Sequence, residues 1–227
     1  MTEIIPAVLP ESFEELSEKL GEAAHFARAA HIDVCDGMFV PRVSWPYGDT
    51  DDGHFISIQK EGEGLPFWEK LDFEAHLMVV HPEQLVPSWI RAGVARVIVQ
   101  AEAVTNKEAL IKVIGEMTEL GIALKLETPL DAFMPFVGVA QTLHLMTIAR
   151  IGYQGEEFQE SAFEKVREAH RRFPDITISA DGGVGVENAS ELIDAGASRL
   201  IVGSALFESE NITKTYREIQ EAANGVQ

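Results

Sequence analysis

The segment His31-Ile32-Asp33-Val34-Cys35-Asp36-Gly37 reads as the end of a β-strand, and it carries four side chains able to bind a metal or move a proton: His31, Asp33, Cys35 and Asp36. Side chains alternate along an extended chain, so His31, Asp33 and Cys35 point to the same face. His76 stands near the end of a second strand-like run, Glu74-Ala75-His76-Leu77-Met78, and Asp181 directly follows a third over 176–180. Two imidazoles and two carboxylates at the ends of three strands form a donor set suited to one divalent ion such as Zn, Mn or Fe(II). A lone strand histidine is more often a hydrogen-bonded structural residue, and Asp36 beside Gly37 reads as a turn former. Asp33 is different: a carboxylate on the inner face of a closed sheet is costly unless it is paired or metal-bound.

Glycine turns supply a second kind of chemistry. Asp181-Gly182-Gly183 follows one strand and Gly203-Ser204 follows the next, at the start of a helix. Backbone N–H groups at such turns can hold a phosphate without basic side chains. A single Gly-Gly pair is ordinary turn chemistry, but its recurrence after the last two strands fits a phosphate site. A further loop, Gly152-Tyr153-Gln154-Gly155, follows the sixth strand and can close over the same anion.

The elements that position these residues alternate along the chain. Strands are expected near 3–8, 29–35, 73–79, 95–101, 121–126, 142–148, 176–180 and 198–202, where short β-branched runs occur. Between them lie helix-period patterns such as Phe13, Leu16 and Leu20, or Leu110, Val113, Ile114 and Met117. Alternation implies parallel strands joined by right-handed crossovers, and closing the sheet into a (β/α)8 TIM barrel removes its edges. An open doubly wound sheet also fits the periodicity; in either fold the chemistry belongs at the strand C-termini. One domain over residues 1–227 is expected, because α/β barrels of this length commonly form one unit. Two places fit less well. The connection 42–72 is long, holds the acidic pair Asp51 and Asp52, and has weak helix signals only around 54–60 and 66–71. Pro87 falls within a helical stretch over 82–92, so that helix is expected to start late or bend.

Composition narrows the function classes. Eighteen Lys plus Arg against 37 Asp plus Glu give a formal charge of −19, which repels nucleic acid and anionic lipid. The single cysteine, Cys35, has no intramolecular disulfide partner, and the first residues lack the basic flank and apolar run of a secretory signal. No apolar run approaches the roughly 18 residues of a membrane span. A cytoplasmic protein acting on a small molecule is expected.

In order and spacing, Pro6-Ala7-Val8-Leu9, His31-Ile32-Asp33-Val34-Cys35-Asp36-Gly37-Met38-Phe39-Val40-Pro41, Ala75-His76-Leu77-Met78, Met146-Thr147, Asp181-Gly182-Gly183 and Gly203-Ser204-Ala205-Leu206-Phe207 resemble the ribulose-phosphate 3-epimerases. The resemblance implies a phosphosugar epimerase that holds one divalent ion through His31, Asp33, His76 and Asp181, with Asp33 and Asp181 as the acid/base pair. It implies a phosphate grip from Gly155, Gly183, Gly203 and Ser204, and sulfur side chains from Cys35, Met78 and Met146 beside an enediolate. It also admits a homo-oligomer. Inverting a carbon next to a ketone needs a base on one face and an acid on the other. The implied substrate is a ketose phosphate, D-ribulose 5-phosphate first. The alternatives are an epimerase for another ketose phosphate, a noncatalytic phosphosugar-binding barrel acting as a sensor, and a barrel with a purely structural metal.

The chain departs from the family pattern at Ala7 (usually serine), Cys35 (usually methionine), Met38 (commonly histidine), Lys125-Leu126-Glu127 (usually Asn-Pro-Gly) and the loop 149–155, which is one residue longer. These segments shape the pocket, so reaction type follows more firmly from the resemblance than substrate identity does.

Overall fold

The β-branched and aliphatic runs become strands because both of their faces are covered, one by helices and the other by the barrel interior. A computed structural model of the chain describes residues 2–48, 53–115 and 118–225; Asp51, Asp52 and Met117 lie outside the described residues. The strands are β1 Glu3–Val8, β2 Ala29–Cys35, β3 Asp72–Met78, β4 Arg96–Gln100, β5 Glu119–Leu124, β6 Thr142–Met146, β7 Thr177–Asp181 and β8 Arg199–Val202. Each pairs in parallel with the next, and β8 pairs back onto β1 through Glu3↔Arg199 to Pro6↔Val202. That last pairing closes the barrel and excludes the open doubly wound sheet.

The helices are α1 Phe13–Ala23, α2 His54–Gln59, α3 Pro82–Arg91, α4 Lys107–Ile114, α5 Ser161–Arg172, α6 Val186–Asp194, α7 Ser204–Phe207 and α8 Ile212–Ala223. In α1 the Ser12 side chain accepts from the Glu15 N–H at the N-terminus, while Leu16 and Leu20 are buried one turn apart. Outward-facing strand residues such as Ile32, Val34, Leu77, Val99, Ile122 and Leu143 form the main core with the helices.

Three connections differ from the simplest reading. Helix α3 neither starts late nor stops at its internal proline: it begins at Pro82 and runs through Pro87, burying Val86 and Trp89 on either side. Burial of those side chains offsets the hydrogen bond that Pro87 forfeits. Of the two weak signals in 42–72, the first forms α2, and the second gives only turns. Between β5 and β6 the crossover is the 3₁₀ segment Leu130–Phe136 rather than an α-helix, with Pro129 before it and Pro135 within it.

Candidate active site

Strand register sets the depth of each functional side chain. His31 pairs with Glu74, Asp33 with His76 and Cys35 with Met78 across β2 and β3. Across β6 and β7, His144 lies opposite Ser179 and Met146 opposite Asp181. Because alternate residues face inward, the barrel interior carries a polar layer of Glu74, Arg199 and Ser179, with imidazoles and carboxylates above it.

Four ligand atoms, one each from His31, His76, His144 and Asp181, lie within 4.8 Å of one another, and all four residues are buried. Asp33 adjoins this group: its Oδ1 is 3.0 Å from His76 Nδ1 and 3.3 Å from His31 Nε2. Asp181 Oδ2 is 2.9 Å from His144 Nε2 and 3.7 Å from His76 Nδ1. The sequence-predicted residues His31, Asp33, His76 and Asp181 therefore stand together. His144 joins them unpredicted. Its signal was present in the alternation of β6, where position 144 shares a face with Met146, but no neighbouring motif drew attention to it.

The surroundings orient each ring. Glu74 Oε1 is 2.7 Å from His31 Nδ1, while its Oε2 accepts from Arg199 at 2.6 Å and from Arg96 at 2.7 Å. A carboxylate on Nδ1 turns Nε2 of His31 towards Asp33 and the other ligands, as in carboxylate–histidine–metal arrangements. Gln100 Nε2 sits 2.9 Å from His76 Nε2, and Gln100 Oε1 is buried without a partner among the described residues. Turning that amide over gives Oε1 the Nε2–H of His76 and releases the Nδ1 lone pair towards Asp33 and Asp181. The orphaned oxygen and the N₃O donor group thus fit a divalent ion such as Zn, Mn or Fe(II).

The electrostatics separate the two aspartates. Burial raises the proton affinity of Asp33, but His31 and His76 outweigh it and hold the carboxyl well below its ordinary range. For Asp181 burial dominates, reinforced by the Asp33 charge, and its pKa is pushed up to about 7. Burial alone would strip the proton from His31, yet the Asp33 and Glu74 carboxylates push its pKa up to about 10. Burial and the His31 charge push His144 down to about 3, so it is neutral.

One pocket opens above this group. Asp33 and Asp181 reach its lining together with Met78, Met146, Gly155, Gly183, Gly203 and Ser204. The three imidazoles lie beneath it, fully buried. Cys35 packs with Met78 and Met146 in an apolar cluster but is not on the pocket lining. Its thiol is held neutral by burial and the nearby Asp33 charge. Gly183 shows why the turn needs glycine: its φ is +62°, and a Cβ there would come within 2.6 Å of the Phe158 backbone nitrogen. Asn188 fixes this turn, donating to the Gly183 carbonyl at 2.9 Å and accepting from the Gly185 N–H at 3.0 Å.

Residues 3–207 match the model of the ribulose-phosphate 3 epimerase family. The chain belongs to that family. A ribulose-phosphate 3-epimerase of Bacillus subtilis is 29% identical over 227 residues, covering 97% of this chain and 99% of its own. The ribulose-phosphate 3-epimerase of Escherichia coli is 28% identical over 225 residues, covering 96% of this chain and 94% of its own. Family membership makes the protein a carbohydrate epimerase by kind. Among solved structures, a 3-keto-L-gulonate-6-phosphate decarboxylase from Vibrio cholerae superposes with a TM-score of 0.71 at 14% identity over all of both chains. A 3-hexulose-6-phosphate synthase gives a TM-score of 0.69 at 16% identity, covering 98% of this chain and 99% of its own. At such identities these likenesses concern the barrel alone. No helix among the described residues is long and apolar enough to cross a membrane.

Proposed function

We propose that the protein inverts C3 of a ketose phosphate, D-ribulose 5-phosphate to D-xylulose 5-phosphate in the first instance, by proton transfer between substrate and two aspartates. The observation that carries this reading is that Asp33 and Asp181 both line one pocket above the buried imidazoles. Of the clustered imidazoles and carboxylates, only Asp33 and Asp181 reach the pocket lining, so within that cluster they are the groups placed to exchange protons with a substrate. Their environments favour opposite states, one ionised and one that keeps its proton near neutrality, as an acid/base pair requires.

His31, His76, Asp181 and Asp33 would hold a divalent ion, with His144 as a further donor within reach. Such an ion, when bound, supplies Lewis-acid stabilisation of the negative charge that develops on substrate oxygen as the C3 proton leaves. Glu74 keeps His31 oriented, and Gln100 does the same for His76. Met78 and Met146 wall the pocket with polarisable sulfur and keep water from the carbon being inverted. The substrate phosphate is held by Gly155, Gly183, Gly203 and Ser204, which line the same pocket. A cytoplasmic setting fits the single buried Cys35 and the acidic composition.

The test is solvent deuterium exchange. Purified protein supplied in turn with Zn, Mn and Fe(II) should incorporate deuterium at C3 of D-ribulose 5-phosphate while xylulose 5-phosphate accumulates, and Asp181→Asn should abolish both. Incorporation into a different ketose phosphate alone would reassign the substrate. Failure with a panel of ketose phosphates would overturn the epimerase reading.

A further inference from the structure

The loop between β6 and α5 carries one buried polar atom that the proposed chemistry leaves unused. Gln154 Nε2 is shielded from solvent and has no hydrogen-bond partner among the described residues. A primary amide has two N–H donors, and leaving them unpaired in a buried setting is costly unless something arrives to accept them. The loop around it is held in place. Ile148 bridges to Phe158, the Gln159 N–H donates to the Thr147 carbonyl at 2.9 Å, and Arg150 pairs with Glu156 at 2.6 Å. Gly152 and Gly155, both at positive φ, turn the chain on either side of Gln154.

The amide faces the wall formed by the β8 turn. A Cβ added to Gly203 would stand 3.6 Å from Gln154 Nε2 and 3.4 Å from the Ala7 carbonyl oxygen, so the amide lies directly against the Gly203 turn. Gln154, Gly183, Gly203 and Ser204 line the same pocket, which has no lysine or arginine on its lining. Glu156 is also on the lining, and its charge is met by Arg150. An anion entering this pocket must therefore rely on neutral donors, and Gln154 is a lining residue whose amide nitrogen has no partner among the described residues.

We propose that the Gln154 side chain is a phosphate-positioning donor, giving the substrate's phosphoryl group a hydrogen bond through Nε2 as it settles against Gly183, Gly203 and Ser204. This rests on the phosphosugar reading of the pocket. It assigns to the loop a side-chain role in affinity, beyond the backbone contacts of Gly155. An amide donating to a dianion forms a charge-assisted bond, and its loss should weaken binding roughly tenfold to a hundredfold.

Inorganic phosphate is the probe, titrated calorimetrically into the full chain. Gln154→Ala should raise the Kd for phosphate by that factor. Gln154→Glu, which keeps the shape and places an anion against an anion, should raise it further. Zinc affinity, read by competition with a chromogenic chelator, should be the same in all three proteins, which distinguishes loss of a local contact from damage to the barrel. With D-ribulose 5-phosphate, KM should rise by a larger factor than kcat falls. Equal phosphate affinity in wild type and Gln154→Ala, or no phosphate binding by wild type, overturns the proposal. Deuterium exchange by the wild type judges the epimerase reading separately: exchange with unchanged phosphate affinity rejects Gln154 alone, whereas Gln154-dependent phosphate binding without exchange rejects the epimerase alone.

Discussion

Asp181 is the residue whose ionisation is most sensitive to what occupies the site. Burial and the charge of Asp33 raise its pKa to about 7, far above an ordinary carboxylate. The folded state thus holds this proton more tightly than the unfolded chain does. Its contribution to stability is present below the unfolded carboxylate pKa and is lost as pH rises through about 7. In the metal-free protein, Asp181→Asn removes the penalty of a buried anion. Its melting temperature at pH 8 should exceed that of metal-free wild type by about 4 °C or more, with the gap closing towards pH 4. Adding Zn should reverse the order, because the wild-type carboxylate then becomes a ligand. A wild type that melts higher at pH 8 without metal would contradict the assigned ionisation. The sequence made Asp33 legible because a carboxylate on the inner face of a strand needs a partner, and Asp181 because it directly follows an apolar strand in the family-like run Asp181-Gly182-Gly183. It did not make His144 legible, since a histidine flanked by leucines reads equally as a core residue. The layer of Glu74 and Arg199 was hidden because nothing local pairs positions 125 residues apart.

At the scale of elements, the sequence was clearest where local pattern and burial agree. The eight strands lie within two residues of their expected starts, since short β-branched runs between helical periods have few other solutions. The connections were less legible, because tertiary contacts decide them. The β5 to β6 crossover shows how: it has no α-helix of its own and is pinned from outside. Lys165 on α5 donates to the carbonyls of Lys125, Leu126 and Thr128, while Glu102 accepts from the Lys125 N–H and the Thr128 hydroxyl. Burial lowers the Lys165 pKa to about 8, only partly offset by Glu102 and Glu127, so the lysine stays largely charged at neutral pH. Lys165→Met keeps most of the stem's bulk and removes all three bonds. It should cost about 1.5–3 kcal/mol, with faster amide exchange concentrated at 125–128. A uniform rise in exchange across the barrel would instead mean that α5 itself had loosened.

For the whole molecule, the question is whether the ion that the site accommodates also holds the fold. Closure of β8 onto β1 leaves no unpaired strand edge, and the apolar layer between strands and helices extends around the barrel. The imidazole and carboxylate group sits inside this frame, with Glu74 bound to both Arg96 and Arg199 below it. Nothing in that arrangement makes strand pairing depend on a metal, in contrast to small domains whose only core is the ion. Chelation should therefore abolish epimerase turnover while the far-ultraviolet circular dichroism at 25 °C stays unchanged. Zn restored to a free concentration one hundred times its Kd should stabilise the fold by about 2.7 kcal/mol, which for a chain of this size is roughly 5–11 °C in Tm. If the barrel unfolded on chelation, the metal would be a structural staple and the acid/base reading of the aspartates would lose its basis. If Tm rose with Zn in a variant lacking His31, His76 and Asp181 as well, the ion would be binding elsewhere on the strongly acidic surface.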